Sequence, residues 1–172
     1  GYDVLSGISA GPRGVSVEGF DGNAYHGSVR LNSLRTIWKS ERDCDRYAIA
    51  LWSCLKFPIT IVLTGTLGAG KTRFVRGLAQ AAGLEGSLVH SPTFVLVHVY
   101  PAQPKLIHLD AYRIDDEDAF LELGVEEFFE EPAVTLIEWG EKFQSVLPAD
   151  RLDLAIDLDA TGSRIVEILG RG

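Results

Sequence analysis

Gly65-Thr66-Leu67-Gly68-Ala69-Gly70-Lys71-Thr72 matches in full the phosphate-binding pattern G-x-x-x-x-G-K-[ST]. Each residue type has a chemical reason to be there. Gly65, Gly68 and Gly70 give the backbone conformations closed to other residues and let it approach a polyphosphate with no Cβ in the way. The successive N–H groups, including those of Thr66, Leu67 and Ala69, then form a concavity for an anion, aided by the positive end of the helix that follows. Lys71 supplies a point charge for the β and γ phosphates, and the Thr72 hydroxyl is a ligand for Mg²⁺. These eight residues predict binding of a nucleoside triphosphate with Mg²⁺.

The flanking segments have the order this chemistry requires. Ile59-Thr60-Ile61-Val62-Leu63-Thr64 is apolar and β-branched, as a buried strand should be, and the run from Arg73 to Ala82 reads as a helix that Gly83 closes in a left-handed cap. A second acidic group is expected at the end of a neighbouring buried strand, to hold the metal directly or through water. Two positions fit: Glu138, ending Ala133-Val134-Thr135-Leu136-Ile137, and Asp110, ending Leu106-Ile107-His108-Leu109. Glu138 is the first choice for the metal because its strand is the more apolar, which leaves Asp110 to orient a water or assist. Thr93, in the turn Ser91-Pro92-Thr93, could offer a hydroxyl to the γ-phosphate, although its position alone reads more simply as the entry to a strand. Arg113 could supply charge to a transition state or could pair with Asp115 or Asp116. The four histidines lack metal-ligand spacing, and His98 and His108 are expected within sheet structure.

The remaining elements follow from pattern. Ser40 with Asp43 makes a weakened capping box for a helix running to about residue 56. Phe94 to Tyr100 and Leu106 to Asp110 read as a hairpin. Residues 115 to 121 start a short helix, Gly124 breaks it before Val125 to Phe129, and a turn containing Gly162 joins Leu152 to Leu158 with Ile165 to Leu169. The sum is an α/β fold, P-loop NTPase-like, whose mixed parallel and antiparallel sheet is flanked by helices in a single domain. Residues 1–36, with recurrent glycines, form an N-terminal extension read as a flexible or peripheral pair of strands. Residues 37–172 are expected to form the P-loop domain.

Composition sets outer bounds. The chain has 172 residues, enough for one sizeable core, with 46% hydrophobic and 23% charged residues. No run approaches the ~18 apolar residues of a membrane span, and no charged-then-apolar leader opens the chain. The absence of methionine makes residue 1 an unexpected translation start. A formal charge of −8 argues against tight direct binding of nucleic acid, and Arg73 and Arg76 read more simply as a solvated helix face. Cys44 and Cys54 fall on one helix with about 15 Å of rise between them, too far for a disulfide. A reducing cytoplasm is the expected compartment.

Five segments stand together: Leu63 to Thr72, Arg76-Gly77-Leu78-Ala79, Ser91-Pro92-Thr93-Phe94, His108-Leu109-Asp110-Ala111-Tyr112-Arg113, and Ile137-Glu138-Trp139. As an ordered set over roughly residues 40 to 170 they resemble the TsaE family, the bacterial ATPases of tRNA threonylcarbamoyladenosine biosynthesis. The resemblance implies a small P-loop fold binding ATP or ADP with Mg²⁺. It implies work with TsaD and TsaB, tRNA being met only through that complex, and hydrolysis that resets the complex between turnovers. It assigns Thr72 and Glu138 to the metal, Lys71 to the phosphates, and Thr93 and Asp110 to catalysis or switching. It also sets Trp139 beside the nucleotide, and places adenine contacts around Ser40 to Asp43, including Glu41, and near Arg164. Family members normally begin near residue 38, which makes residues 1–36 additional. Two other functions compete on the residues alone: a small-molecule kinase with Asp110 as base, and a nucleotide-gated binding switch without significant turnover. No Arg-rich lid segment supports the kinase, and the absence of Asn-Lys-x-Asp argues against a GTPase.

Overall fold

The computed structural model describes residues 8–11 and 14–17 by their backbone, and residues 33–90 and 96–171 in full. Strands β1 (Ile8–Gly11) and β2 (Gly14–Val17) form an antiparallel hairpin of their own. Among the described residues the other seven strands make one sheet, in the order β3-β9-β8-β4-β7-β6-β5. These are β3 (Ser33–Trp38), β4 (Ile59–Thr64), β5 (Val97–Tyr100), β6 (Lys105–Asp110), β7 (Ala133–Glu138), β8 (Arg151–Leu158) and β9 (Arg164–Arg171).

The central four strands, β8, β4, β7 and β6, run parallel to one another, and antiparallel strands flank them on both sides. The apolar runs fall in the middle, as strands covered on both faces require. Ile61, Val62 and Leu63 of β4 are fully buried, and so are Leu136 and Ile137 of β7. The fold is therefore the mixed α/β sheet expected.

Two helices cover one face. Helix α1 (Glu41–Cys54) starts at Ser40 with a complete capping box, and α2 (Lys71–Ala81) follows the glycine-rich loop. They pack closely at Gly77, where an added Cβ would lie 2.8 Å from that of Ala48. Beneath them Trp38 stacks on Phe74 at 5.5 Å, joining β3 to α2. The opposite face is covered by two short helices, α3 (Glu117–Leu121) and α4 (Val125–Glu130), and by a 3-10 turn at Gly140–Phe143. Gly124 takes φ +75° between α3 and α4, the break expected there. Phe120 and Phe143 stack at 4.4 Å in this second core.

Three boundaries differ from expectation. Residues 33–36, set apart as extension, lie within β3, hydrogen-bonded along β9. Helix α1 ends at Cys54, with Leu55 already extended. Strand β5 begins only at Val97, because Leu96 takes φ +67° and leaves the extended region. Neither Cys44 nor Cys54 forms a disulfide, and burial first among its surroundings pushes the Cys44 thiol up to about 12. No helix among the described residues is long and apolar enough to cross a membrane.

Candidate functional site

Parallel strands bring their carboxyl ends to one edge of the sheet, the usual place for a ligand in open α/β folds. The residues singled out by type converge on that edge. Leu63 pairs in register with Glu138, and Glu138 with Asp110 across the next parallel ladder. Two acids and the glycine-rich loop thus meet where β4, β7 and β6 end.

The loop has the geometry of a phosphate cradle. Gly65 takes φ +122°, and a Cβ there would come within 1.9 Å of the Ile156 carbonyl oxygen, so β8 leaves no room for any other residue. Gly70 caps α2 from the left-handed region at φ +113° and contributes no side-chain hydrogen bond. The first N–H groups of this 11-residue helix thus remain available for an anion. Ala69 N–H closes the loop onto the Thr66 carbonyl at 3.1 Å, Thr66 N–H donates to Asp157 Oδ1 at 3.3 Å, and Leu67 is 80% exposed at the tip.

Lys71 is only 5% exposed. Its Nζ donates to the carbonyls of Gly65 at 2.8 Å and Thr66 at 3.0 Å, and lies 4.4 Å from the centroid of the Trp139 ring. Desolvation lowers its pKa from the ordinary lysine value, against the opposing pull of Glu138, Glu141, Asp110 and Asp157. Its partners are neutral carbonyls and a π face, so a phosphate brought into the loop offers this ammonium a stronger partner than those it has.

Thr72 Oγ1 donates to Glu138 Oε1 at 3.0 Å, and His108 Nε2 stands 2.9 Å from the same oxygen. A hydroxyl and a carboxylate in contact form a hard oxygen pair that suits Mg²⁺, which takes one or two protein ligands and completes its shell with phosphate and water. Among the described residues no cluster of three or more His, Cys, Asp or Glu side chains could hold a metal by itself. The oxygen pair at Thr72 and Glu138 therefore fits a nucleotide-borne ion better than a resident one. Asp110 is buried, and its Oδ1 accepts the Tyr112 N–H at 2.9 Å.

Trp139 takes φ +63°, with its N–H on the Leu63 carbonyl at 3.2 Å, and so turns the chain sharply after Glu138. Its ring sits 5.2 Å from that of Tyr112, beside Lys71. Arg164, at the start of β9, reaches the loop: its Nε donates to the Ala69 carbonyl at 3.1 Å. Glu41 lies 3.6 Å from Arg73 in the first turn of α2, so the N-terminus of α1 also borders the loop. Arg113 is exposed in the turn after Asp110. Thr93 lies outside the described residues.

Three contributors escaped the sequence reading. His108 was expected only as a sheet residue, yet its position two before Asp110 puts it on the same strand face, a signal available from alternation alone. Asp157 reaches the loop through the β4–β8 pairing. Lys142 Nζ donates to the carbonyls of Ala111 at 3.2 Å, Tyr112 at 2.7 Å and Ile114 at 3.4 Å, fixing the turn that follows Asp110. Neither of these last two carries a local sequence signal.

Sheet order, loop geometry and the acids at the strand ends define an α/β protein of P-loop-like architecture. A family model described as threonylcarbamoyl adenosine biosynthesis protein TsaE matches residues 38–166, more than half of the chain. The chain belongs to the TsaE family. It is 34% identical over 135 residues to the tRNA threonylcarbamoyladenosine biosynthesis protein TsaE of Treponema pallidum, covering 78% of this chain and 99% of that protein. The protein of the same description from Haemophilus influenzae is 40% identical over 102 residues, 59% of this chain and 63% of that one. Among solved structures, the crystal structure of Bacillus subtilis YdiB superposes with a TM-score of 0.70 at 26% identity, covering 81% of this chain and 86% of that chain.

Proposed function

We propose that this chain is a Mg²⁺-dependent, ATP-binding and ATP-hydrolysing subunit of the tRNA threonylcarbamoyladenosine machinery, working in the cytoplasm with TsaD and TsaB to sustain repeated turnovers. The observation that carries the reading is the meeting of Lys71, Thr72, Glu138 and Asp110 at one sheet edge, in a chain of the TsaE family.

In this reading the loop N–H groups and the start of α2 receive the β and γ phosphates, and Lys71 exchanges the Gly65 and Thr66 carbonyls for phosphate oxygens. Thr72 and Glu138 would hold Mg²⁺, which supplies neutralising charge to the phosphates when bound. Asp110 accepts a hydrogen bond from the attacking water and aligns it with the γ-phosphorus. The water oxygen bonds to that phosphorus as the bond from it to the ADP oxygen breaks, the water's proton passes to a phosphate oxygen, and ADP and inorganic phosphate leave. Trp139 covers Lys71 and would pack beside the nucleotide. Arg164 and the Glu41–Arg73 pair border the nucleotide, and Thr93 would complete the γ-phosphate side as a catalytic or switch residue. tRNA is met only through the complex, in keeping with a net charge of −8.

The test is phosphate release from ATP by this chain, alone and with a purified TsaD–TsaB pair. Slow release alone that rises sharply with the pair is expected. A rate indifferent to the pair would discard the partner-dependent ATPase, leaving a kinase that consumes ATP only with a small acceptor, or a switch that binds without turnover.

A further inference from the structure

His108 is 0% exposed, in the layer that holds Leu106 and Leu136. It pairs in register with Leu136, one alternation beneath Glu138. An apolar side chain would fill this position without leaving a polar ring to satisfy, so packing alone gives no reason for an imidazole. Its one hydrogen bond among the described residues runs from Nε2 to Glu138 Oε1, 2.9 Å away. An ionised carboxylate only accepts, so Nε2 is the donor. Nδ1 is a buried atom without a partner among the described residues. The ring is thus placed for the sake of that single contact, at the expense of its other nitrogen.

Glu138 Oε1 also accepts the Thr72 hydroxyl, and its Oε2 takes no hydrogen bond among the described residues. The two donors differ in kind. Thr72 sits on the first turn after a glycine-rich loop, whereas His108 sits in the middle of a buried parallel ladder. We infer that His108 is a positioning residue that holds the Glu138 carboxylate in one orientation, whatever the state of the loop, so that the Mg²⁺ carried by the nucleotide meets a preformed ligand. This rests on the nucleotide-site reading above.

The experiment is calorimetric binding of a non-hydrolysable ATP analogue in EDTA and across a Mg²⁺ series, for the parent, His108→Leu, His108→Asn and His108→Gln. Loss of the donor in His108→Leu is expected to raise the half-saturating Mg²⁺ about 10-fold, as removal of a hydrogen bond to a metal ligand commonly does. Metal-free affinity should stay unchanged. The Gln amide reaches the place of Nε2 and should restore the parent Mg²⁺ dependence, whereas the shorter Asn should not. That Asn–Gln split decides the matter even if the leucine variant fails to fold. Parent-like Mg²⁺ dependence in all variants, or metal-free and Mg²⁺-bound affinities falling together, would overturn the inference and leave the site reading intact. A parent whose binding ignores Mg²⁺ would overturn the site reading and the inference with it.

Discussion

Glu138 and Asp110 end adjacent parallel strands in register, yet their surroundings divide their tasks. Glu138 contacts the Thr72 hydroxyl on the helix that follows the loop, which is where a nucleotide-borne cation would sit. Asp110 is tied instead to the backbone of its own turn, through Tyr112 N–H, and Lys142 pins that turn from beneath. A group held by a braced turn is suited to aligning a water. Glu138→Ala is therefore expected to lose the Mg²⁺-dependent part of nucleotide affinity. Asp110→Ala should bind normally and release phosphate roughly 10²-fold more slowly, the low end for a positioned acid–base group. Binding titrations with and without Mg²⁺, paired with phosphate release, separate the two, and the reverse pattern would exchange the roles. Both acids were legible in the sequence because each ends an apolar run. Their adjacency was not, since register between strands far apart in the chain leaves no local trace.

At the scale of elements, the strand, loop and helix around Lys71 could be read directly because each is specified by neighbours within a few residues. So could α1, whose start is written in Ser40 and Asp43. There Asp43 Oδ2 accepts the Lys39 and Ser40 N–H groups at 2.9 and 3.0 Å, while Asp43 N–H donates back to Ser40 Oγ at 3.3 Å. Burial pushes the Asp43 carboxyl up slightly, but the hydrogen bonds from Lys39 and Ser40 outweigh it and leave its pKa below the ordinary 3.8. A depressed folded-state pKa means the carboxylate stabilises the helix fully above the unfolded value, and that this stabilisation is lost as pH falls through the folded one. Asp43→Ala should cost about 1 kcal/mol at pH 7, from the cap and the helix dipole together. The gap from the parent should close as pH falls below 3.8, a trend that urea denaturation across pH would reveal. Strand β3 was harder to read. Its residues alternate between exposed and half-buried until Trp38, and what secures them is pairing with β9, more than a hundred residues later. The start of β5 is hard to read for a related reason: Phe94 to Tyr100 has strand composition throughout, but Phe94 and Val95 lie outside the described residues, and Leu96 turns out of the ladder and gives its carbonyl to Asp110 N–H at 3.0 Å.

Across the whole molecule, the site is a knot of distant segments. Thr72 meets Glu138 across 66 positions, Thr66 meets Asp157 across 91, and Ala69 meets Arg164 across 95. Charge is distributed to match. The stretch from Asp115 to Glu131 carries much of the negative charge on the face of α3 and α4, while Lys71, Arg73 and Arg164 gather at the loop. Because this assembly exists only when the parallel strands are in register, the unfolded chain has no equivalent site, and nucleotide binding at it would stabilise the fold by mass action. With Mg²⁺ and ATP analogue at a hundred times the dissociation constant, the stabilisation should be about 2.7 kcal/mol. For a chain of this size that corresponds to a rise in Tm of roughly 5–11 °C. Lys71→Ala removes the phosphate partner but leaves Gly65, Gly70 and the sheet in place, so its own Tm should lie near that of the parent. At the same ligand concentration the variant should show almost no rise by scanning calorimetry. A Lys71→Ala protein that gained as much Tm as the parent would mean that the stabilising ligand sits elsewhere on the molecule, and the loop would lose its standing as the site.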